Sequence, residues 1–399
     1  MPSQPDHNVL FVDGEPRLLE SISRQLDHRA QEWGMEFVST PECVADALAR
    51  TRFDVVVCDA HFRGHHGHAS LLEQLASERH EGVRIALSSA AWADDRQATY
   101  HVAHRIVPKP FDGRCLERAI ERSYKLKQIF DDPQLAQLLQ RTKRLPSVPS
   151  QYAALTEALR SPDVGVDEIE AIITRDLALC AKLVQMTNSA YFGLSRRVTS
   201  VRHAIIYLGM RMIRQLVFSV EVFRSFPPQL ADLIDPERIQ RHATLTAKIA
   251  VELCEDERVR DEVFLAGMLH DIGKLVLASH LPDYFGPLLR RARDTARPLH
   301  EIEREAQHSY LDHASVGAFL VGRWGMPYSI AEAIAFHHRP FDIAQRGLEL
   351  PALIHVADKL ARELPIEPDL MDHLGLKHGL VRSWEVVAQA CRATLAQDY

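Results

Sequence analysis

Short apolar runs typical of strands are concentrated at the start of this chain, and they constrain its fold more than any other feature. The runs cover residues 9–12, 54–58, 83–87 and 105–107. Because these runs are β-rich and continuous, without alternation, they predict strands buried on both faces, as in a parallel sheet. Helical spacing occurs at residues 17–26, 42–50, 71–77 and 116–129. This part of the chain therefore predicts an α/β domain whose strands are joined by crossover helices.

The pattern changes at Asp131-Asp132-Pro133, where a proline interrupts the helical spacing. From residue 135 to residue 395, helical periodicity dominates and strand patterns almost vanish. A shift from β-rich to helical sequence at a proline break indicates two modules. The Pro227-Pro228 pair predicts a further division of the helical half into two lobes.

The composition is that of an ordinary soluble protein. Of 399 residues, 46% are hydrophobic and 25% are charged, and the net charge of −7 disfavours a nucleic-acid partner. The six cysteines form no C-x-x-C pair, which indicates reduced thiols. No apolar run reaches the roughly 18–20 residues that a membrane span needs, and the start lacks a signal-peptide pattern. We therefore expect a cytoplasmic protein without a membrane partner.

Polar residues stand at the carboxyl ends of the predicted strands, where open parallel sheets bind their ligands. These residues are Asp13, Asp59, Ser88 and Lys109. Two carboxylates can hold Mg²⁺, an aspartate can form an acyl phosphate, and a lysine and a hydroxyl can stabilise a phosphoryl group. The alternative is that such residues are only the exposed starts of loops. Their joint occurrence at these positions favours a phosphoryl-transfer site.

Residues 8–125 resemble the receiver domain of response regulators through the segments VLFVDGEP, DVVVCDAHF, IALSSA and VPKPF. The resemblance implies a doubly wound, five-stranded parallel sheet and a histidine kinase as partner. It implies that Asp59 is the phosphoacceptor and that Ser88 and Lys109 contact the phosphoryl group. Asp13 would belong to the acidic pocket for Mg²⁺.

The sequence departs from the receiver pattern in ways that bear on phosphorylation. Gly14 stands where the family has a second acid, which should weaken Mg²⁺ binding unless Glu15 turns inward. Ile106 occupies the aromatic switch position, and Phe62-Arg63 replaces the usual Met-Pro after the acceptor. A receiver that works without phosphate is therefore an alternative.

The helical half carries histidines and aspartates on apolar faces or within apolar runs. These residues are His242, His270, Asp271, His313, His337 and Asp358. Burying so many ionisable groups is costly unless they are hydrogen-bonded or bind a cation. Each histidine alone is most simply a hydrogen-bonded core residue. Together they form a ligand set typical of Zn²⁺, Mn²⁺ or iron in helical folds, with Lys274 close enough in sequence to contact a phosphate.

A second resemblance covers residues 135–365, which are similar to the HDOD (HD-related output domain) family through segments that include LPSVPSQYAALTEAL, AGMLHDIGKLVL, HASVGAFLVGRWGMP, IAFHHRP and HVADKLA. HDOD domains belong to the HD phosphohydrolase superfamily. The metal set that this resemblance implies falls on His242, His270, Asp271 and Asp358. The related HD-GYP phosphodiesterases add histidines that could correspond to His313, His337 and His338. The D-G-x-G-Y-P motif of those enzymes is missing, so the motifs do not support hydrolysis of cyclic-di-GMP.

The two resemblances together imply a bacterial response regulator with a receiver at residues 1–125 and a junction at residues 126–134. The HDOD domain would span residues 135–365, with lobes at 135–228 and 229–365, and a helical extension at 366–399 would follow. We expect a signalling adaptor that contacts a downstream protein, with a homodimer as one way to transmit the signal. The alternative is a metal-dependent phosphohydrolase or phosphodiesterase at the His/Asp cluster. A DNA-binding regulator is disfavoured, because no basic recognition helix is present.

Two further segments carry weaker patterns. The histidine-rich segment 61–68 is more simply a solvated loop than a metal site, because its spacing is loose and it contains two glycines. The segment 188–193 predicts a helix that ends at a glycine, with Tyr191 and Phe192 in the core, rather than a nucleotide-contacting loop.

Overall fold

A computed structural model of the chain divides into two compact units, residues 1–131 and residues 132–399. The structure describes residues 7–63, 70–78, 82–89, 102–141, 149–161, 163–188, 198–226, 233–306, 311–343 and 347–396. Most of the histidine-rich segment and most of the segment 188–193 lie outside the described residues. Within the described residues, no helix combines the length and apolar character needed to span a membrane.

The first unit contains the predicted parallel sheet. Its strands are β1 (His7–Val12), β2 (Trp33–Val38), β3 (Val55–Asp59), β4 (Val83–Ser89) and β5 (Arg105–Lys109). All neighbours pair in parallel, in the order β2-β1-β3-β4-β5. The register pairs Val12 with Cys58, Asp59 with Leu87, and Ser89 with Lys109, so the carboxyl ends of the strands meet at one edge of the sheet.

Among the residues that the structure describes in this unit, four α-helices accompany the sheet. They are α1 (Pro16–Leu26), α2 (Pro41–Arg50), α3 (Leu71–Ser77) and α4 (Gly113–Phe130). Helices α2 and α3 bury their apolar faces against Leu10 and Val56 of the central strands, and α4 packs against α1 and β3–β5. Side chains cap the starts of three of them: Thr40 accepts a hydrogen bond from a backbone amide of α2, Ser70 forms a capping box with Glu73 at α3, and Asp112 accepts from a backbone amide of α4.

The described residues of the second unit are helical and contain no strand. The helices up to residue 253 are α5 (Pro133–Arg141), α6 (Ser150–Ala158), α7 (Val166–Ile173), α8 (Leu177–Thr187), α9 (Val201–Arg224) and α10 (Pro236–Leu253). Those that follow are α11 (Arg260–Leu269), α12 (Ile272–His280), α13 (Pro282–Thr295), α14 (Leu299–Glu305), α15 (His313–Arg323), α16 (Tyr328–Phe336), α17 (Leu350–Ala361), α18 (Pro368–Leu374) and α19 (Leu380–Ala396).

Six of these helices, α10, α11, α12, α15, α16 and α17, pack against one another around a common interior. Helix α11 is central, because every residue from Val263 to Leu269 is buried. Glycines permit the closest contacts between helices. A Cβ atom on Gly267 would lie 2.6 Å from the Cα of Ala247, and one on Gly273 would lie 1.8 Å from the carbonyl oxygen of His313. Close packing thus draws the polar residues of several helices into one interior.

Candidate functional sites

The carboxyl edge of the sheet brings together three of the residues predicted from the sequence. The Lys109 ammonium donates hydrogen bonds to Asp13 Oδ2 at 2.8 Å and to Asp59 Oδ2 at 2.6 Å. Burial lowers the pKa of Lys109, but the bonds to the two carboxylates outweigh burial and raise it above its usual value. Asp13 is buried, whereas Asp59 is partly open to solvent. The acceptor predicted from the sequence is therefore reachable and already paired with a lysine.

The other residues considered at this edge are Ser88, Gly14 and Glu15. Ser88 lies on β4, one position beyond the residue paired with Asp59, and is partly buried. Gly14 and Glu15 are exposed, and the Glu15 backbone amide donates to Asp13 Oδ1 at 2.9 Å. The Glu15 side chain therefore does not fill the place of the missing acid.

The second unit brings all of its predicted ligands into one cluster. His242 comes from α10, His270 and Asp271 join α11 to α12, His313 begins α15, His337 and His338 follow α16, and Asp358 lies on α17. Their ligand atoms form two groups that share Asp271. The atoms of each group lie within 4.8 Å of one another: Asp271, His313, His337 and His338 in one, and His242, His270 and Asp271 in the other.

Asp358 joins the second group. Its Oδ1 atom lies 2.7 Å from His242 Nε2 and 3.5 Å from His270 Nε2. The two oxygens of Asp271 face different neighbours, because Oδ1 lies 3.4 Å from His313 Nε2 whereas Oδ2 lies 3.5 Å from His270 Nε2. Asp271 thus stands between the two groups, with one oxygen directed toward each.

The imidazole rings of the cluster are held in one orientation. Nδ1 of His270 donates to the carbonyl of Gly267 and Nδ1 of His337 to the carbonyl of Ile334, each at 2.7 Å. Because a carbonyl can only accept, Nδ1 of each ring carries a proton, and Nε2 faces Asp271. His313 Nδ1 is likewise engaged, at 2.6 Å from Glu303 Oε2. Metal-binding histidines are commonly oriented in this way.

Several atoms at the centre of the cluster have no hydrogen-bond partner although they are buried. They are His270 Nε2, His337 Nε2 and Asp271 Oδ1. Buried polar atoms without a partner are rare in folded proteins, since each loses its hydration without compensation. A divalent cation in the first group would satisfy His337 Nε2 and Asp271 Oδ1, and one in the second group would satisfy His270 Nε2. The donor set therefore fits metal ions of the kind that imidazole and carboxylate ligands prefer.

The ionisable side chains of the cluster shift one another's pKa values. Burial raises the pKa of Asp271, but Lys274 and His270 outweigh burial and hold it well below its usual value. Burial lowers the pKa of His270, whereas Asp271 and Asp358 raise it, and the net result is a pKa of about 9. Burial and the charge of His270 lower the pKa of His337 well below its usual value. A metal ion bound beside His270 at neutral pH would therefore displace a proton from this ring.

Sequence reasoning missed three residues of the cluster. Glu303 on α14 is buried and fixes His313, but its helix reads LHEIERE, which resembles a solvated helix. His300 stacks on the His338 ring at 4.1 Å between centroids. Arg362 contacts Asp358 and Asp271, and its position four residues after Asp358 was the one signal that could have found it.

Lys274, which the sequence predicts to be close enough to contact a phosphate, lies beside the cluster. Its Nζ donates to Asp271 Oδ2 at 2.6 Å. The side chain is buried, so the short bond offsets the cost of removing both charges from water. In this arrangement Lys274 neutralises Asp271.

Comparison with known proteins identifies the domain that carries this cluster. Residues 145–340 match the family model of the HDOD domain. The match lies within the second unit and includes His242, His270, His313 and His337, whereas Asp358 lies beyond it. The chain therefore contains an HDOD domain.

A curated but uncharacterised protein from Treponema pallidum (strain Nichols) is 29% identical over 208 residues. The matched region covers 51% of this chain and 39% of that protein, so the chain spans well under half of its relative's length.

Two solved structures share the fold. One is a candidate phosphohydrolase from Shewanella amazonensis SB2B, with a TM-score of 0.51, 23% identity, and coverage of 65% of this chain and 97% of that one. The other is a candidate signal transduction protein from Marinobacter aquaeolei VT8, with a TM-score of 0.50, 20% identity, and coverage of 71% and 64%. At these identities the likeness concerns the fold alone.

Proposed function

We propose that this protein is a response regulator in which phosphorylation of Asp59 controls the HDOD half. The observation that supports it is the Lys109 ammonium held between Asp13 and Asp59 at the carboxyl edge of the sheet. A lysine beside a partly exposed carboxylate is placed to neutralise a phosphoryl group that this carboxylate accepts.

In this proposal an Asp59 oxygen attacks the phosphorus of a donor, and the bond from phosphorus to the donor breaks, leaving an acyl phosphate on Asp59. Lys109 then transfers its hydrogen bond to a phosphoryl oxygen, and the Ser88 hydroxyl donates a second one. Asp13 and Asp59 would hold Mg²⁺, more weakly than a pocket with a carboxylate in place of Gly14. Bound Mg²⁺ would neutralise phosphate charge.

The cognate donor would be a histidine kinase in the cytoplasm, and the output would pass through contacts with a downstream signalling protein or a second copy of the chain. The negative charge of the phosphoryl group would shift the equilibrium between two arrangements of one structural element. We assign this role to α4 and the junction after it, because α4 is the last helix of the first unit and leads directly into the second.

Replacement of the acceptor tests this function. We expect Asp59→Asn to abolish labelling by a radioactive small phosphodonor, because an amide cannot form the acyl phosphate. Asp54→Asn is the matched control: Asp54 also lies on the first unit, but it binds the backbone of Asn8 and lies outside the edge cluster. Label that persists in Asp59→Asn would show that another residue is the acceptor.

A second candidate function is metal-dependent hydrolysis of a phosphoester by the HDOD domain. It is favoured by the orientation of His270, His313 and His337, whose Nδ1 atoms are all committed to other partners. The residues that would hold Fe, Mn or Zn are His242, His270, Asp271, His313, His337, His338 and Asp358. When bound, such a metal supplies Lewis acidity and a water of lowered pKa.

Hydrolysis can be measured on a generic phosphodiester. We expect the full chain, loaded with Fe²⁺, Mn²⁺ or Zn²⁺, to hydrolyse bis(p-nitrophenyl) phosphate, and His337→Ala to lose this activity because it removes a ligand donor. Leu277→Ala, a buried change on α12 that removes no ligand atom, serves as the control for lost stability. If the fully metal-loaded protein showed no turnover, this result would contradict the proposed hydrolase function. Signalling through protein contacts would then remain as the proposed function.

A further inference from the structure

One guanidinium is bound to both carboxylates of the His/Asp cluster. Arg362, directly after α17, donates from Nε to Asp358 Oδ1 at 2.8 Å and from a terminal nitrogen to Asp271 Oδ2 at 3.1 Å. Both carboxylates are buried, with side-chain exposures of 5% and 3%. Because the fork of an arginine spans two acceptors with a charge that does not titrate, Arg362 is a permanent counter-ion within the cluster.

The two oxygens of Asp271 are used unequally. Oδ2 accepts from both Lys274 and Arg362. Oδ1 has no hydrogen-bond donor and lies 3.4 Å from His313 Nε2 and 3.9 Å from His337 Nε2. The carboxylate is therefore neutralised on one side and available on the other.

The same inequality extends to the two ligand groups. In the group with His242 and His270, the Oδ1 of Asp358 already accepts from Arg362 and lies 2.7 Å from His242. In the group with His313, His337 and His338, Lys274 and Arg362 bind only Oδ2 of the shared Asp271, and among the described residues no lysine or arginine is bonded to Oδ1 or to these histidines. A divalent ion in the first group would lie against a fixed positive charge, which raises its free energy through Coulomb repulsion.

We propose that Arg362 makes the two ligand groups unequal, so that the protein binds one divalent ion tightly, among Asp271, His313, His337 and His338, and excludes a second. Arg362 holds the place of the second ion, among His242, His270 and Asp358. This inference rests on the metal centre of the second candidate function. It adds the number of ions bound per chain and names Arg362 as the residue that sets this number. The Arg362 side chain is 36% exposed, so its movement toward solvent would open the second metal site.

The metal content of the full chain tests the proposal. The protein is stripped with a chelator, reloaded with Mn²⁺ and measured by inductively coupled plasma mass spectrometry after removal of free ion. We expect one ion per chain in the wild type and two in Arg362→Ala. Lys359→Ala is the matched control, because it removes a positive charge one turn earlier that binds Glu367 instead of the cluster, and it should retain one ion.

A second variant guards against a change in fold. Arg362→Ala leaves two buried carboxylates with less compensation, so its metal-free form should melt at a lower temperature and recover on reloading. Arg362→Gln keeps hydrogen-bond donors while removing the charge, and it should also bind two ions. Two ions in the wild type, or one in both Arg362 variants, would overturn the role of Arg362 while preserving the metal centre. A wild type without metal would overturn the centre itself.

Discussion

The double variant His270→Ala with Asp271→Ala is expected to purify without bound metal. Asp271 belongs to both ligand groups, and His270 is one of the rings whose Nε2 points at it without a partner. Loss of a residue that only orients a ligand typically lowers metal affinity about 10–100-fold. Loss of the shared carboxylate removes a ligand from both groups, so elemental analysis after growth with iron, manganese and zinc should find no retained ion.

The same variant should melt at a lower temperature, for two separable reasons. Removal of buried side chains leaves a cavity, which costs about 2–5 kcal/mol for a large side chain. Loss of the ion also removes linkage stabilisation, which is about 2.7 kcal/mol at a free metal concentration of 100 times Kd. Wild type should therefore gain melting temperature when metal is added, and the double variant should not.

Leu277→Ala separates the two causes, because Leu277 is fully buried on α12 and offers no ligand atom. This control should lose melting temperature through its cavity and keep its metal. Metal content equal to wild type in the double variant would refute the assignment of His270 and Asp271. Signalling output that is lost in cells, while fold and abundance remain, would favour the hydrolase over signalling by contacts.

Local pattern was sufficient to predict the strands that lie inside the sheet. Strands β1, β3 and β4 are nearly continuous apolar runs because both of their faces are covered. Strand β2 did not stand out, because Gly34 and Glu36 interrupt its apolar residues. Strand β5 is also an edge strand, but the adjacent Ile106 and Val107 were sufficient to identify it.

The ligands of the cluster were predictable because a buried histidine or aspartate interrupts an apolar pattern. Their partners were not. Glu303 is buried although its helix is rich in charge, and only the packing of α14 against the start of α15 makes it a partner of His313. Arg362 reads as an ordinary surface charge, and its bond to Asp271 depends on the end of α17 meeting the start of α12 in space. Tertiary contact decides their roles.

Gly273→Ala is expected to disrupt the interior from which the cluster is built. A Cβ at this position would lie 1.8 Å from the carbonyl oxygen of His313 and 2.8 Å from the amide nitrogen of Gly317, so α12 and α15 would have to separate. Overpacking typically costs about 1–3 kcal/mol, and a contact this short with backbone should cost about 3 kcal/mol, which corresponds to a fall of roughly 6–12 °C in melting temperature for a domain of this size.

The separation should also reach the metal centre, because His313 is the first residue of α15 and its Nε2 lies 3.4 Å from Asp271 Oδ1. Bound metal should therefore fall together with melting temperature. Gly286→Ala is the control: the nearest atom to its new Cβ is a flexible methyl of Leu233 at 3.2 Å, and alanine favours a helix interior by up to about 1 kcal/mol over glycine. If Gly273→Ala melted like Gly286→Ala, α12 and α15 would not approach as closely as this packing requires, and the position of His313 beside Asp271 would lose its support.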